Sequence, residues 1–548
     1  MARNGRYSGT NGNNEKGIKQ TRMAAIDWMI ILLYLSGMIG MSIYLGRKQE
    51  DQDDYYVAGR NMSWWAIGIS TMATQSSAIS FISKPAFVAL RPGGGLTWLQ
   101  YELAVPLAMI VIMMFLIPFF RRLRLVSVYE YMELRYDASV RYLVSGVFLF
   151  SRGLAAGVVV YTTAIVLEVC LGLPLWITIL FIGVVTIVYD TIGGIAAVVY
   201  SDVIQMVILM SGIFICVFYA ANMVGGFSEM FALFPEERMA TLDFRSGFNG
   251  ESSVPFWGLL IGGFFLYISY YGTDQSQVQR EMATESEDGT KRSLLLNGFA
   301  RFPLTASYML MGIAIYAVYV HSPELQAAIP EGDYDYLVPQ FVLIHLPTGI
   351  RGILFAAILS ATMSTLDSVL NSLSASTMKD FVERANKGAG DNLFLGKLVT
   401  VIWGIAITGF AFFVGNIDAT VVEGINKIGS AFYGPILAAF LTGVISRRVN
   451  ANGIFSGIIA GVGINICLWL FFPAIFWMWW NFFGLIITVA VAFLFSYLYP
   501  VEQTQQIERY TLRGKNWLES ERRWFPKYLM LFAYFIIMLV ILVALNCG

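Results

Sequence analysis

The chain has 548 residues, of which 57% are hydrophobic and only 13% are charged, a composition typical of a membrane protein with many spans rather than of a soluble domain. Its net charge of -1, without a basic cluster interleaved with aromatic residues, argues against nucleic-acid binding. The four cysteines lie far apart and only two histidines are present, so we expect neither a disulfide framework nor a structural metal site.

The chain begins with a polar tail and a first apolar run. Residues 1–22 are rich in Asn, Gly, Lys and Arg and predict a disordered tail. Residues 23–46 are long and apolar enough to cross a bilayer and predict an extra N-terminal helix that acts as an uncleaved signal anchor. Further apolar runs bring the prediction to about fourteen transmembrane helices. They cover residues 63–90, 97–120, 139–168, 173–192, 196–224, 254–276, 294–320, 350–383, 394–416, 420–446, 453–472, 475–498 and 526–546.

The distribution of charge between the loops predicts the orientation. Lys and Arg are concentrated in loops on one side, such as those that begin at Arg121 and Arg447, whereas loops 225–253 and 321–349 are acidic. The positive-inside rule therefore places the basic loops in the cytosol. The N-x-S sequon at Asn61 falls on the cytosolic side, which favours a bacterial inner membrane, and we predict a multi-pass protein of the plasma membrane.

Two predicted spans are unusually rich in hydroxyl groups. In the ninth span, Ala361, Ser364, Thr365 and Ser368 would share one face of a helix, with Asp367 at its edge. A carboxylate at mid-membrane costs at least ~2.5 kcal/mol, so Asp367 should face an interior site.

The second span has the same character, with hydroxyl residues throughout the stretch 70–83. Small hydroxyl residues also let helices pack closely, which is the simpler explanation for one such segment. Two such segments together favour a site for a hard monovalent cation, because hydroxyl and carbonyl oxygens are the ligands of such a cation. Backbone carbonyls become free in unwound backbone, which a membrane span tolerates where it lines a cavity.

Catalytic signatures are missing from the sequence. It has no GxxxxGK[ST] loop, no HExxH and no GxSxG, and Asp202 and Asp367 are too few to indicate a carboxylate dyad. We therefore predict that the protein is not an enzyme.

Three ordered motifs carry a family resemblance. They are Gly193–Gln205 (GGIAAVVYSDVIQ), Tyr271–Arg280 (YGTDQSQVQR) and Ser364–Ser372 (STLDSVLNS). With these motifs the chain resembles the sodium:solute symporter family, which includes the sodium/glucose cotransporters. The resemblance implies an all-α integral membrane protein with a LeuT-type core of two inverted five-helix repeats, broken in spans two and seven. The repeats would cover residues 63–224 and 254–446, with extra helices at 23–46 and 453–548.

The resemblance implies a sodium site between spans two and nine. Ala73, Ser76 and Ala361 would contribute backbone carbonyls, and Ser364 and Thr365 would contribute hydroxyls. Sodium is thus the expected coupling ion.

A second cation site is implied for members that have an acid at the start of span six and hydroxyls in span nine. These positions match Asp202, Ser364 and Ser368. Asp367 stands where such relatives commonly carry Ser or Thr. Its carboxylate could tighten a second sodium, take a proton, or bond to a neighbouring helix for packing.

The resemblance also indicates where a solute would bind. Glu102 stands at the position of the sugar-binding acid of sugar-transporting members, and Tyr270 at the position of their inner aromatic gate. Arg301 matches their basic residue in span eight, and Asn426 matches their glutamine in span eleven. Such groups suit a polyhydroxylated ligand. Where sugar transporters usually carry Asn, Gln and Asn, the chain has Gln75, Ser80 and Tyr267, which argues against a simple hexose.

The stretch around Ser76–Phe81 is more similar to the sialic-acid transporters of the family, which contact an acidic sugar through hydroxyls. Ser77 and Ser80 match those positions. Those transporters also use an arginine in span four, and Arg152 lies two positions earlier in this chain. Arg152 is therefore either a partner for a substrate carboxylate or half of a salt bridge to another intramembrane acid such as Glu102.

We predict a sodium-coupled secondary active symporter that imports a small polar organic solute, a sugar or sugar acid such as sialic acid, by alternating access within the lipid bilayer. One alternative is a proton-coupled symporter with Asp202, Asp367 or Glu102 as the proton carrier. Another is a symporter of organic anions of the monocarboxylate and vitamin type, which the run from Gln275 to Arg280 also resembles. A transporter-like solute sensor is the third.

Overall fold

The computed structural model describes residues 23–250, 254–385, 392–414, 421–500, 507, 509–512 and 521–547; the predicted tail 1–22 lies outside them. Within these ranges the chain is helical, and its one β contact is an isolated parallel bridge between Met62 and Thr284. The first helices are α1 Ala25–Gly46, α2 Gln52–Val57, α3 Trp64–Gln75, α4 Ala78–Ala89, α5 Ala104–Val111, α6 Ile117–Leu123, α7 Glu130–Arg135, α8 Ala138–Leu171, α9 Leu175–Met223, α10 Phe227–Ala232 and α11 Glu236–Met239. They are followed by α12 Gly263–Thr273, α13 Gln275–Met282, α14 Glu287–His321, α15 Pro323–Ala327, α16 Leu337–His345, α17 Ile350–Ser376, α18 Glu383–Ala385, α19 Leu393–Ala411, α20 Val421–Ile445, α21 Ala451–Phe471, α22 Trp479–Leu498 and α23 Phe525–Cys547.

Ten helical segments of the described chain are long and apolar enough to cross a membrane, so the protein is a multi-pass membrane protein. The sequence predicted about fourteen. The difference begins with α9, whose 49 residues would extend about 74 Å at 1.5 Å per residue, more than twice the hydrocarbon core of a bilayer. Gly194 divides it, because its φ of 57° and ψ of -168° are not helical. The separate runs predicted at 173–192 and 196–224 therefore meet at this glycine.

Two interruptions fall where the predicted spans two and seven lie. Ser76, with φ -93° and ψ 58°, leaves the helical region between α3 and α4. Asp274, with φ -83° and ψ 125°, is extended between α12 and α13. Both predicted breaks are thus present, although the second lies near the end of the run 254–276 rather than at its middle.

Two helices begin about two turns or less from the start of the apolar runs that predicted them. α14 begins at Glu287 rather than at residue 294, because the Ser286 hydroxyl accepts a hydrogen bond from the Gly289 backbone and starts the helix early. α22 begins at Trp479 rather than at residue 475, because the Phe476 backbone N–H bonds to the Gly247 carbonyl, 2.7 Å away, instead of entering a helix.

α17 runs through the centre of the molecule, where it contacts α1, α3, α4, α8, α9 and α19. From Leu354 to Ser376 every residue is buried except Thr365, which is partly exposed. In contrast, α1 buries one stripe from Asp27 to Ser42, and its Leu33 is 73% exposed. A buried helix that carries hydroxyls and a carboxylate must bond them internally, so the polar face of α17 marks the candidate site.

Candidate functional site

Accessible positions at the interruption of span two form a polar strip. From Ser70 to Ala89 every residue is buried except four that are partly exposed. These are Gln75, Ser77, Ser80 and Lys84. Thr365 on α17 approaches the same interruption, since its Oγ1 lies 3.2 Å from the carbonyl oxygen of Thr74. A polar, partly accessible strip inside a buried helix pair is a candidate binding surface.

The five residues predicted to bind sodium lie on α17 and at the end of α3, the two elements that meet at this interruption. The Ser76 backbone N–H donates to the Ala73 carbonyl at 2.8 Å, and Thr365 Oγ1 donates to the Ala361 carbonyl at 3.2 Å. Ser364 is one turn away and donates to a carboxylate oxygen of Asp202. α3 ends here, and the partial negative charge at the C-terminal end of a helix suits a cation.

Asp202 is fully buried and already has a positive partner. Its Oδ2 lies 3.2 Å from Arg280 Nη1 and accepts a hydrogen bond from Ser70 Oγ at 2.5 Å. Arg280, also fully buried, donates further to the Ser70 carbonyl at 2.8 Å and to the Thr74 hydroxyl. The guanidinium therefore occupies part of the space beside the predicted second cation site and neutralises Asp202.

Asp367 lacks such a counter-charge. It is fully buried, and its Oδ1 accepts hydrogen bonds from the backbone N–H of Ser368 at 2.6 Å and from the Ser368 hydroxyl at 3.3 Å. Its Oδ2 has no hydrogen-bond partner in the described part of the chain. The alternative in which Asp367 bonds to a neighbouring helix was therefore wrong, because both bonds stay within α17. Thr74 on α3 joins the group through the Ser368 hydroxyl, 3.1 Å from its own.

A second cluster forms around Glu102, which is 1% exposed. Its Oε1 lies 3.3 Å from Arg301 Nη2 and accepts a hydrogen bond from Thr305 Oγ1 at 2.7 Å. Its Oε2 accepts a weaker bond from the Tyr267 hydroxyl at 3.4 Å. The ring of Tyr101 stacks on that of Tyr267, with centroids 4.7 Å apart. Three predicted substrate residues, Glu102, Tyr267 and Arg301, are thus brought together.

A hydrogen bond links span seven to the strip. The Tyr271 hydroxyl donates to Gln75 Oε1 at 2.9 Å, and the Ser80 hydroxyl donates to the Gln75 carbonyl at 3.3 Å. Ser77 immediately precedes α4, and its side chain does not cap that helix. The side chain of Asn426 lies outside the described residues, so its predicted contact with the solute stays a prediction.

Arg152 pairs with Asp274, not with Glu102. Its Nε donates to Asp274 Oδ2 at 2.6 Å, and its guanidinium lies 4.8 Å from the centre of the Tyr270 ring. The predicted alternative of a salt bridge to another intramembrane acid is confirmed, but the acid is Asp274, the extended residue at the end of α12. The named example, Glu102, pairs with Arg301 instead. Tyr270 accordingly sits with Arg152, and its hydroxyl accepts a hydrogen bond from Gln277 at 2.8 Å.

Three charged residues of the site were given no role from the sequence. Arg280 and Asp274 lie inside the motif that carried the resemblance, and the rarity of buried charges in a membrane protein could have singled them out. Lys84 carried the same signal, since it is the one ionisable residue between positions 70 and 89. Its Nζ donates to Thr305 Oγ1 at 3.3 Å.

Comparison with known proteins gives consistent results. The sodium:solute symporter family matches residues 55–461. The chain is 30% identical to the sodium/sialic acid symporter NanT of Aliivibrio fischeri over 449 residues, which covers 80% of this chain and 86% of that protein. It is 29% identical to the human sodium/iodide cotransporter over 446 residues, which covers 80% of this chain and 68% of that protein.

Solved structures agree with this result. The substrate-bound, outward-open structure of a Na+-coupled sialic acid symporter superimposes with a TM-score of 0.77 at 27% identity, covering 88% of this chain and all of that one (100%). A nucleobase-cation-symport-1 family transporter in a closed conformation matches with a TM-score of 0.51 at 12% identity over 83% of this chain and 97% of that one, which shows a shared fold alone. The family match spans well over half of the chain, and the chain belongs to the sodium:solute symporter family.

Proposed function

We propose that the protein is a sodium-coupled symporter that imports a small polar organic solute, a sugar or sugar acid such as sialic acid, by alternating access. The observation that carries this proposal is the interruption at Ser76, which lies between oxygen-rich backbone on α3 and a strip of polar, partly exposed side chains on α4. One side of the interruption suits a cation and the other a polar solute. The sodium/sialic acid symporters among its relatives support this choice of ion and solute.

Sodium would bind between α3 and α17. The carbonyls of Ala73, Ser76 and Ala361 and the hydroxyls of Ser364 and Thr365 are its proposed ligands. Thr365 already joins the two helices through the Thr74 carbonyl, so a cation at this point would hold them together. Binding would therefore favour one conformation, which is the physical requirement for coupling.

A second cation, either sodium or a proton, would bind at Asp367 with Ser364 and Ser368, next to Asp202. The free Oδ2 of Asp367 supports this proposal, because an unpaired buried carboxylate gains strongly from a positive partner. The same observation supports the alternative function, a proton-coupled symporter with Asp367 as the carrier.

The solute would bind along the strip and against the Glu102 cluster. Hydroxyls and amides of the strip, the Glu102–Arg301 pair and the stacked tyrosines supply the donors, acceptors and apolar faces that a sugar requires. The proposed contacts are Gln75, Ser77, Ser80, Glu102, Tyr267, Arg301 and Asn426. Tyr270, held by Arg152 and Gln277, would form the inner gate.

The proposed architecture has fourteen spans. In this proposal, four spans are added to the ten long apolar helices. α9 counts as two spans because it divides at Gly194. The broken pair α3–α4, the segment that ends in α12, and α20 add one span each. We propose inverted repeats at 63–224 and 254–446, with extra helices at 23–46 and 453–548. The protein would carry out no covalent chemistry and bind no nucleic acid, and its membrane would be a bacterial inner membrane.

The test is uptake into proteoliposomes with an inward sodium gradient, and again with potassium in place of sodium. Radiolabelled N-acetylneuraminate, lactate, glucose and galactose are the solutes. We expect sodium-dependent uptake of at least one, with a Thr365→Val variant raising the sodium concentration for half-maximal uptake by roughly tenfold or more, because it removes one charge-assisted ligand. Thr365→Ser keeps the hydroxyl and should stay within about threefold of the original protein.

Uptake that ignores sodium but rises at acidic pH would overturn sodium coupling and favour the proton-coupled alternative. No effect of Thr365→Val would overturn the assignment of the Thr365 hydroxyl as a sodium ligand, because valine keeps the methyl group and loses only the hydroxyl. A loss in Thr365→Ser as large as in Thr365→Val would show that the methyl group contributes as much as the hydroxyl.

A further inference from the structure

The polar strip contains one charged side chain, Lys84, which is not among the proposed solute contacts. Lys84 is partly exposed within an otherwise buried stretch. Ser77, Ser80 and Lys84 are spaced at i, i+3 and i+7, so they lie on one face of α4. The side chain therefore follows the same surface as the hydroxyls proposed to bind the solute.

Among the described residues, Lys84 has a neutral hydrogen-bond partner and no acidic group within ion-pair distance. Its Nζ donates to Thr305 Oγ1 and lies 5.3 Å from the centre of the Tyr308 ring, and within the described residues it forms no ion pair. Glu102, the acid of the adjoining cluster, already accepts from Arg301 and Thr305. Lys84, Arg301 and Glu102 together leave one positive charge in excess.

Other arginines near the solute site cannot supply a free charge. Arg152 is paired with Asp274 at 2.5 Å, and Arg280 is paired with Asp202 at 3.2 Å. The N-terminal end of α4, next to Ser77, adds a partial positive charge of the same sign to the strip. An intramembrane charge without a partner is expensive, and it is tolerated where a ligand of opposite charge binds.

We propose that the transported solute is a carboxylic acid and that Lys84 binds its carboxylate, while Ser77 and Ser80 bind its neutral polar groups. This inference rests on the proposed function and narrows it, since it excludes neutral sugars as the main solute. It also assigns the carboxylate to Lys84 rather than to Arg152, whose charge Asp274 neutralises.

The experiment compares acids with neutral derivatives on the purified, sodium-saturated protein. The two pairs are N-acetylneuraminate with its methyl ester, and lactate with lactamide. We expect one acid to bind more tightly than its derivative by roughly 30-fold, and Lys84→Gln to remove that preference while affinity for the derivative stays the same. Lys84→Arg keeps the charge and should retain most of the preference. Lys48→Gln serves as the matched control, since Lys48 is exposed in the turn that follows α1.

Equal binding of acid and derivative by the original protein overturns the inference, as does failure of both acids to bind. An equal loss of both affinities in Lys84→Gln overturns it as well, because a structural role would weaken all ligands together. Binding of radioactive sodium without solute separates this result from the proposed function. If Lys84→Gln still binds sodium, the proposed sodium coupling stands whatever the solute measurements show. If the original protein does not bind sodium, the proposed function itself is overturned.

Discussion

At the scale of single residues, the ion pair between Arg280 and Asp202 joins three elements of the site. Arg280 extends from α13 and Asp202 from α9, and Ser70 on α3 bonds to both. Both charged side chains are fully buried. We expect Arg280→Gln to lower the free energy of unfolding by ~3–5 kcal/mol, because it leaves the Asp202 carboxylate buried without a counter-charge. Thermal and denaturant unfolding of the detergent-solubilised protein would measure the loss.

The double variant Arg280→Gln/Asp202→Asn removes the stranded charge and should recover most of that stability. Arg523→Gln is the matched control, since Arg523 is 66% exposed in its 2.6 Å pair with Asp288 and should contribute less than about 1 kcal/mol. A loss in Arg280→Gln no larger than in Arg523→Gln would contradict the structural importance of the buried pair.

The sequence could identify which buried charged residues need a hydrogen-bond or ion-pair partner, but it could not identify the partners. Glu102 and Arg152 were recognised as intramembrane charges, because each is costly unless bonded. The partner of Arg152 depends on the extended conformation of Asp274, which no helical register predicts. The surroundings of Lys84 were not predictable for a related reason, since its side-chain hydrogen bond is to Thr305, 221 positions away in sequence.

At the scale of elements, the division of α9 depends on one glycine. Gly194 has φ 57°, and a Cβ built there would lie 2.7 Å from Gln49 Nε2 and 2.8 Å from the Tyr55 carbonyl oxygen. Gly194→Ala should therefore lower the free energy of unfolding by about 1–3 kcal/mol from backbone strain, with the contacts adding to the loss. Gly37→Ala is the control, because a Cβ at Gly37 in α1 has no atom within 4 Å.

Thermal unfolding of the two glycine variants would test this expectation. Gly37→Ala should be neutral or slightly stabilising, since alanine favours a helix over glycine by about 1 kcal/mol. Equal melting temperatures for both variants would show that the chain bends at Gly194 without depending on it.

Apolar length predicted where elements exist better than where they end. The runs predicted at 173–192 and 196–224 meet at Gly194, whose backbone is not helical. Helix ends depended on local hydrogen bonds instead. Ser286 starts α14 early, and the Gly247 carbonyl delays α22, and neither bond is visible in hydropathy.

At the scale of the whole molecule, the site joins segments that are far apart in sequence. The bond from Thr365 to the Thr74 carbonyl spans 291 positions, and that from Thr305 to Glu102 spans 203. Composition alone could establish a helical membrane protein but not this arrangement, and family motifs were needed to bring spans two and nine together. Within the described part of the chain, the cation side contains Asp367 and the solute side contains Lys84, and neither forms an ion pair.

This charge layout predicts how transport responds to voltage. If Asp367 binds a second cation in each cycle, Asp367→Asn should carry one positive charge fewer per solute. Moving one charge through 100 mV corresponds to about 2.3 kcal/mol, which is roughly a 50-fold change in an equilibrium ratio. For each 100 mV of inside-negative potential, the ratio of internal to external solute should therefore rise roughly 50-fold more in the original protein than in the variant. Proteoliposomes clamped with potassium and valinomycin would measure both slopes. Glu168→Gln, at the partly exposed end of α8, should keep the original slope. Equal slopes for Asp367→Asn and the original protein would leave the Asp367 carboxylate without a transported cation, because a charge bound and released in each cycle must appear in the dependence on potential.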